Sequence, residues 1–184
     1  MIIQAREIVI FGGKGGVGKT TSGRILAQKL RYQYTDLDEE FCNRNGNITE
    51  YIQVHGYSQY CLRNSDIFYH LLKTVSENII FVLSSGFLVH EDLDDLTRQH
   101  RNTIQQEGIS VLLLPSKALA TSTEVVVRRQ LYRGFGLNEK REREKFIERF
   151  HIYKQFGDIQ IFSHESPAKI AGIMEKQIAS KLSR

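Results

Sequence analysis

The sequence predicts an α/β protein, a three-layer sandwich with a five-stranded parallel sheet between helices. Five short and almost wholly apolar runs recur along the chain, as expected for parallel strands buried on both faces. These runs comprise residues 8–11, 32–35, 79–83, 111–114 and 159–162. Longer segments of helical pattern separate them, and this alternation is typical of the three-layer arrangement.

The helical segments complete the order of elements, and neither repeats nor low-complexity linkers interrupt it. Helices are predicted at 20–30, twice within 39–75, near 92–106, and at 122–132, 139–150 and 168–182. Residues 139–145 mix acidic and basic residues, with Glu139 four positions before Arg143. This pattern predicts a helix face exposed to solvent.

Composition narrows the class of protein. At 184 residues the chain is predicted to form one domain, 1–184, and a monomer. Without an apolar run of ~20 residues or an N-terminal export signal, it is expected not to enter a membrane. Cys42 and Cys61 fit no metal-binding spacing and predict reduced thiols in a cytoplasmic protein. The net charge of +4 suits anionic ligands, but interspersed acidic residues argue against nucleic acid.

A glycine-rich segment follows the first predicted strand and matches the G-x-x-x-x-G-K-[ST] pattern that wraps nucleotide phosphates. Backbone N–H groups and the positive end of the next helix would converge on one anionic spot. Lys19 would reach the β- and γ-phosphates, and the Thr20 hydroxyl would bind Mg²⁺. The residues predicted to bind ATP are Gly13, Lys14, Gly15, Gly16, Val17, Gly18, Lys19, Thr20 and Thr21.

Two families share such a loop. The segment from Lys14 to Thr21 resembles the loop of chromosome-partitioning and septum-site ATPases, where the earlier lysine acts across a dimer. The rest of the chain disagrees with that family, because only 17 positions separate Lys19 from Asp36 and no D-x-P-P-type strand end follows.

From Gly12 onward the sequence resembles shikimate kinase, a compact relative of the nucleoside monophosphate kinases. The motifs follow the family's order over nearly the whole chain. They are the opening helix at 18–27, Asp36-Leu37-Asp38 at the D-x-D position, Leu62-Arg63 at the Phe-Arg position, Arg129-Gln130-Leu131 at the Arg-Pro-Leu of the lid, Arg149-Phe150-His151-Ile152-Tyr153, and Ser166-Pro167 beside adenine.

The resemblance implies a phosphate-loop fold of the nucleoside monophosphate kinase type. It also implies an enzyme that uses MgATP to phosphorylate the 3-hydroxyl of shikimate in aromatic amino acid biosynthesis. Asp36 would join Thr20 at Mg²⁺, through water. Asp38, placed on the same strand face by the two-residue period, would bind the acceptor hydroxyl and take its proton.

The resemblance further assigns the acceptor and lid residues. Arg63 and Arg149 would bind the acceptor carboxylate through paired, charge-assisted hydrogen bonds, and Gly86 would lie against the acceptor. Arg129 would move with a lid at about 116–138 and stabilise charge on the phosphate, with Arg128 as the alternative. Gly134 and Gly136 would supply the flexibility of the lid, and residues 37–75 would form an acceptor-binding helical segment.

The sequence departs from the family pattern most sharply at Gly86-Phe87-Leu88, which keeps the first of three glycines. Side chains there predict a reshaped acceptor pocket and weaker binding of shikimate. Gln130 and His151 also replace prolines, and Tyr57 replaces a glutamate. Two alternatives therefore stay open: a related small-molecule kinase with a changed acceptor, and a nucleotide-binding regulatory module that has lost phosphotransfer.

Overall fold

The computed structural model describes residues 6–90, 92–132 and 137–183. In these ranges a single sheet of five parallel strands has the order β2-β3-β1-β4-β5. The strands are β1 (Ile8–Gly12), β2 (Gln33–Asp36), β3 (Ile79–Val82), β4 (Ile109–Leu114) and β5 (Ile159–Phe162). The predicted five-stranded parallel sheet is confirmed, and the largest shift of a boundary is at β4, which begins two residues before the predicted position.

The helices of the described ranges are α1 (Lys19–Leu30), α2 (Leu37–Asn45), α3 (Ile48–His55), α4 (Tyr57–Thr74), α5 (Asp94–Glu107), α6 (Leu119–Tyr132), α7 (Glu139–Tyr153) and α8 (Pro167–Leu182). None of them is both long and apolar enough to span a membrane. Between residues 37 and 74 there are three helices instead of the predicted two. The breaks fall at Gly46 and Gly56, whose φ angles of 81° and 85° suit glycine at helix ends.

The sheet separates two apolar clusters. On β1, Val9 and Phe11 join one cluster, whereas Ile8 and Ile10 join the other. Ile80 and Phe81 of β3 divide in the same way. Burial on both faces explains why the strands read as unbroken apolar runs in the sequence.

Helix α7 departs from its predicted environment. We expected residues 139–145 to form a solvent-exposed face, but Glu142 is only 8% exposed and Lys145 is half-buried. The expectation is wrong at these two positions, because the helix turns them toward the loop between β1 and α1, where Glu142 pairs with Lys14. Arg143 pairs with Glu139, four positions before it, as the pattern predicted.

The strand register brings the loops that follow the strands to one edge of the sheet. Phe11 of β1 and Asp36 of β2 are both level with Val82 of β3. The strand order reverses at β1, which lies between β3 and β4. Ligands of parallel sheets bind at such an edge, so the fold places the candidate site after β1, β2 and β3.

Gly108, directly before β4, provides a test of close backbone packing. A Cβ built there would lie 3.0 Å from the carbonyl carbon of Ile8 and closer still to its oxygen. Gly108→Ala should therefore lower the free energy of unfolding by ~1–3 kcal/mol.

Gly172 in α8 is the matched control, since its Cβ would meet nothing within 4 Å. Gly172→Ala should raise the free energy of unfolding by ~0.5–1 kcal/mol through helix propensity. Urea unfolding measures both, and equal effects would contradict the packing argument.

Candidate active site

A tight glycine loop, residues 13–18, connects β1 to α1. Gly13, Gly16 and Gly18 have φ angles of 124°, 86° and 100°, which strongly favour glycine over residues with a Cβ. Lys19 is the first residue of α1, so the N-terminal N–H groups of this helix face the loop. The strand, loop and helix that the motif predicts are therefore present.

The side chain of Lys19 lies inside the glycine loop. Its Nζ donates hydrogen bonds to the carbonyl oxygens of Gly13, at 2.7 Å, and Lys14, at 3.1 Å. The residue is only 6% exposed. The ammonium group is thus held where the motif requires a cation for phosphate oxygens.

Asp36 links the end of β2 to both α1 and α2. Its Oδ2 accepts a hydrogen bond from the Thr20 hydroxyl at 2.9 Å, and its Oδ1 accepts one from the backbone N–H of Asp38 at 3.0 Å. The carboxylate therefore caps α2. Together with burial, its charge raises the pKa of Tyr34.

Because Asp36 caps α2, Asp38 lies on a helix and not on a strand as expected. We placed Asp38 on the same strand face as Asp36, but β2 ends at Asp36 and Asp38 lies in the first turn of α2. That expectation is wrong because the Asp36 carboxylate satisfies the first N–H groups of a helix and so ends the strand. Asp38 nevertheless lines the same cavity as Asp36.

A cavity of about 150 Å³ lies over the glycine loop and is called here the Lys19 cavity. Its lining combines glycines of the loop with polar side chains from four parts of the chain. These side chains are Lys19, Thr20, Asp36, Asp38, Ser85 and Gln130. Sequence reasoning missed Gln130, although it noted that this residue replaces a proline. The Gln130 amide packs on the loop, with Nε2 2.6 Å from a Cβ built on Gly15.

A larger cavity of about 500 Å³, the Arg129 cavity, shares Gly16 and Gly18 with the Lys19 cavity. The Arg129 guanidinium donates hydrogen bonds to the carbonyl oxygens of Gly16 and His164, each at 3.5 Å. Arg128 lines the same cavity. Both arginines stay candidates for the lid residue, while Gly134 and Gly136 lie outside the described residues. Of the other residues predicted to bind ATP, Val17 lines this cavity and Thr21 is exposed on α1.

The two predicted acceptor arginines lie in different surroundings. Arg63 on α4 is exposed, and its Nε donates a hydrogen bond to Asn45 Oδ1 at 3.0 Å. Arg149 on α7 is half-buried and lines a third cavity, of about 570 Å³, together with His90 and Arg101. Among the described residues, this Arg149 cavity and the Lys19 cavity share no lining residue.

Tyr153 connects Arg149 to the Lys19 cavity. Burial raises the pKa of Tyr153 to about 12, and the positive charge of the neighbouring Arg149 opposes this shift. The Tyr153 hydroxyl donates to the backbone oxygen of Ser85 at 2.9 Å. Since Ser85 lines the Lys19 cavity, Arg149 lies behind the wall of that cavity.

Cys61 and His90 form a buried contact beside Arg149, with 3.2 Å between Sγ and Nδ1. Burial raises the pKa of the Cys61 thiol to about 11 and lowers the pKa of His90 to about 4. Both groups are therefore neutral at physiological pH. A neutral thiol is a poor nucleophile, so the pair is structural and not an activated cysteine.

Phe87 and Leu88 belong to the core. They are 0% and 3% exposed, and the Phe87 ring stacks on His100 with 3.9 Å between ring centroids. They line none of the three cavities described above and pack in the apolar cluster that includes Phe81 of β3, so the expectation that they reshape the acceptor pocket stays a prediction. It is the Tyr57 hydroxyl that lies over Gly86, at 3.0 Å from a Cβ built there.

Comparison with known proteins decides between the two families that share the loop. A family model described as shikimate kinase matches residues 15–182. The chain belongs to the shikimate kinase family. The resemblance inferred from the motifs, and the kinase activity that it implies, are confirmed at the level of this family.

Individual members of the family match over most of their length. Shikimate kinase of Shewanella loihica is 30% identical over 173 residues, which cover 91% of this chain and 92% of that protein. Shikimate kinase of Buchnera aphidicola is 29% identical over 169 residues, 90% of this chain and 91% of that one. The solved structure of Acinetobacter baumannii shikimate kinase in complex with shikimate has a TM-score of 0.76 and 18% identity, covering 97% of this chain and 96% of that one. This last comparison shows that the fold is shared.

The position of Phe87 leads to a test. Phe87→Ala should lower the free energy of unfolding by ~3–5 kcal/mol, because it removes a fully buried ring. Leu62→Ala on α4 is the control, since Leu62 is 44% exposed and should change stability by less than ~0.5 kcal/mol. Chemical unfolding of the two variants checks the difference. Equal stability of both variants would show that Phe87 is not a core residue.

Proposed function

We propose that this protein transfers the γ-phosphoryl group of ATP to the 3-hydroxyl of shikimate. The observation that carries the proposal is the Lys19 cavity, which brings a phosphate-loop lysine, a threonine hydroxyl and two carboxylates together. Phosphoryl transfer requires alignment and charge neutralisation more than covalent help, and these groups serve both requirements. Membership of the shikimate kinase family and the protein with bound shikimate from Acinetobacter baumannii support the choice of acceptor.

Thr20 and Asp36 would hold Mg²⁺. The Thr20 hydroxyl and Asp36 Oδ2 are 2.9 Å apart, so two hard oxygen ligands are already adjacent. Such a pair suits Mg²⁺, which binds few protein oxygens and keeps several waters. When bound, the ion would neutralise phosphate charge. The cap that Asp36 gives to α2 fixes its carboxylate in place.

Lys19, Asp38 and Arg129 would act on the reacting groups. Lys19 would exchange its bonds to Gly13 and Lys14 for bonds to the β- and γ-phosphates. Asp38 would bind the acceptor hydroxyl and accept its proton, since it shares the cavity with Lys19. Arg129 would reach the phosphates from its position beside Gly16. Bound ATP would then contact residues 13–21 and Arg129.

Gly86, Arg63 and Arg149 would bind the acceptor beyond Asp38. Gly86 follows Ser85 of the cavity lining, and Arg149 lies behind Ser85 through Tyr153. Arg63 on α4 and Arg149 on α7 would both bind the acceptor carboxylate. We therefore propose that residues 37–75 form the acceptor-binding segment and that 116–138 form the lid. That the protein is a cytoplasmic monomer stays a prediction.

A changed acceptor is the second candidate function, and Tyr57 favours it. Its hydroxyl lies over Gly86, at the position where an acceptor would contact the backbone. An assay of ADP release with shikimate, with other hydroxy carboxylic acids and without acceptor separates the candidates. Turnover with shikimate alone supports the proposal, turnover with another acid supports the second candidate, and ATP binding without any turnover supports a regulatory module.

Lys19 is the first residue to test. Lys19→Ala should lower turnover by ~10³-fold or more, because it removes the charge that aligns the γ-phosphoryl group. Lys29→Ala is the control, since Lys29 lies on the same helix in an exposed ion pair with Glu175. Turnover by Lys19→Ala within a few-fold of the parent would exclude the proposed role.

The acceptor arginines give a separate prediction. Arg63→Ala and Arg149→Ala should each weaken shikimate binding by ~2–4 kcal/mol and leave ATP affinity nearly unchanged. Arg44→Ala is the control, since Arg44 forms an exposed ion pair with Glu40 within α2. Titration calorimetry with each ligand measures these effects. Equal loss of both affinities would indicate a structural role for the arginine.

A further inference from the structure

A buried ion pair joins the glycine loop to α7. The Lys14 ammonium donates a hydrogen bond to Glu142 Oε2 at 2.9 Å, across 128 positions of sequence. Lys14 is 6% exposed and Glu142 is 8% exposed. The lysine therefore faces the interior of its own chain and not a second copy, unlike the lysine of the partitioning ATPases.

Stability alone does not explain this pair. Removing two charges from water costs several kcal/mol, and well-packed apolar side chains of similar volume often stabilise a protein equally well. A hydrogen-bonded ion pair fixes both the distance and the relative orientation of its two groups more strictly than apolar packing does. It suits a contact that must hold two segments in a fixed relative position.

On the loop side, Lys14 contacts both Glu142 and Lys19. The backbone oxygen of Lys14 accepts a hydrogen bond from Lys19 Nζ at 3.1 Å, while the side chain of Lys14 binds Glu142. A displacement of the loop by bound phosphates would therefore move the partner of Glu142 as well. The contact can carry a change from the loop to α7.

On the helix side, Glu142 precedes Lys145 and Arg149 by three and seven positions, which places all three on one face of α7. Burial lowers the pKa of Lys145, the positive charges of Arg141, Lys14 and Arg149 lower it further, and Glu142 opposes them. These charges thus lie within electrostatic reach of Lys145. On this face of α7 the buried carboxylate of Glu142 is followed by two basic residues, Lys145 and Arg149, and Arg149 lines the Arg149 cavity.

We propose that Lys14 and Glu142 are positioning residues that couple nucleotide binding in the glycine loop to α7. Through α7 the coupling extends to Arg149, and this extension rests on the proposed acceptor role of that arginine. The coupling to α7 itself requires only that the loop binds a nucleotide. Lys14 would contact ATP through its backbone, and the side chains of Lys14 and Glu142 act through their contact with each other and not on the reacting atoms.

Hydrogen–deuterium exchange with ADP tests the coupling without any acceptor. ADP is added at a concentration that saturates each protein. In the parent, ADP should slow exchange in the glycine loop and, by ~5-fold, in residues 142–153 of α7. In Glu142→Gln and Lys14→Met, slowing should be confined to the loop. Arg143→Gln, which alters the exposed pair with Glu124 on the same helix, should behave as the parent.

The double variant Lys14→Met/Glu142→Met separates positioning from stability. It replaces the buried charges by apolar side chains and should retain the parent's unfolding midpoint within a few degrees, but lose the effect of ADP on α7. Slowing of α7 by ADP in this variant, or its absence in the parent, would overturn the proposal. If Glu142→Gln, Lys14→Met and the double variant all failed to fold, the proposal would also be overturned, and the pair would be identified as a structural cross-link.

A titration of shikimate with and without ADP tests the extension to Arg149. ADP should tighten shikimate binding by ~5-fold in the parent and by less than ~2-fold in Glu142→Gln. A parent that binds no shikimate would refute the proposed acceptor and the extension together. The exchange experiment would then still decide whether the pair couples the loop to α7.

Discussion

The tight turn that follows β1 is the constraint on which the rest of the site depends. β1 is buried throughout and hydrogen-bonded to β3 and β4, so its end is fixed in the middle of the sheet. From that fixed point the chain must reverse into α1, and glycines with positive φ make the reversal possible. Gly23 then allows α1 to approach β3, since a Cβ built there would lie 3.1 Å from a methyl group of Val82. The position of Lys19 follows from these backbone contacts, before any ligand is bound.

Asp36 extends this constraint to the second strand. One carboxylate oxygen binds the Thr20 hydroxyl of α1 and the other caps α2. A single side chain therefore fixes the start of the helix that carries Asp38 relative to the glycine loop. Since Asp36 is 5% exposed, this pairing exists in a region of low dielectric, where charge-assisted hydrogen bonds are strong. The same placement suits Mg²⁺, so the residue that organises the fold locally is also the one proposed to bind the ion.

The parts of the site that the sequence predicted are those set by local structure. Burial on both faces produces unbroken apolar runs, and the loop motif predicts backbone geometry over eight adjacent residues, so the sheet and the position of Lys19 could be predicted. The alternation rule failed at Asp38 because a carboxylate cap ended the strand earlier than periodicity alone suggests. Gln130, Glu142 and Phe87 depend on contacts with distant segments, and nothing adjacent in sequence reports those contacts.

The nucleotide-binding and acceptor-binding parts of the proposed site differ in the same way: the first depends mainly on local structure and the second on contacts between distant segments. The nucleotide half is built mainly from one continuous segment and its neighbour Asp36, and Gln130 and Glu142 pack on the glycine loop from α6 and α7. The acceptor half combines α2, α4, the end of β3 and α7, which are far apart in sequence and meet through contacts such as that of the Tyr153 hydroxyl with the Ser85 backbone oxygen. The contact of Tyr57 with Gly86 is a further example, and both of its residues lie outside the glycine loop. Acceptor choice can therefore change within this fold while phosphoryl transfer is retained, because the groups that neutralise phosphate charge are different residues from those proposed to recognise the acceptor.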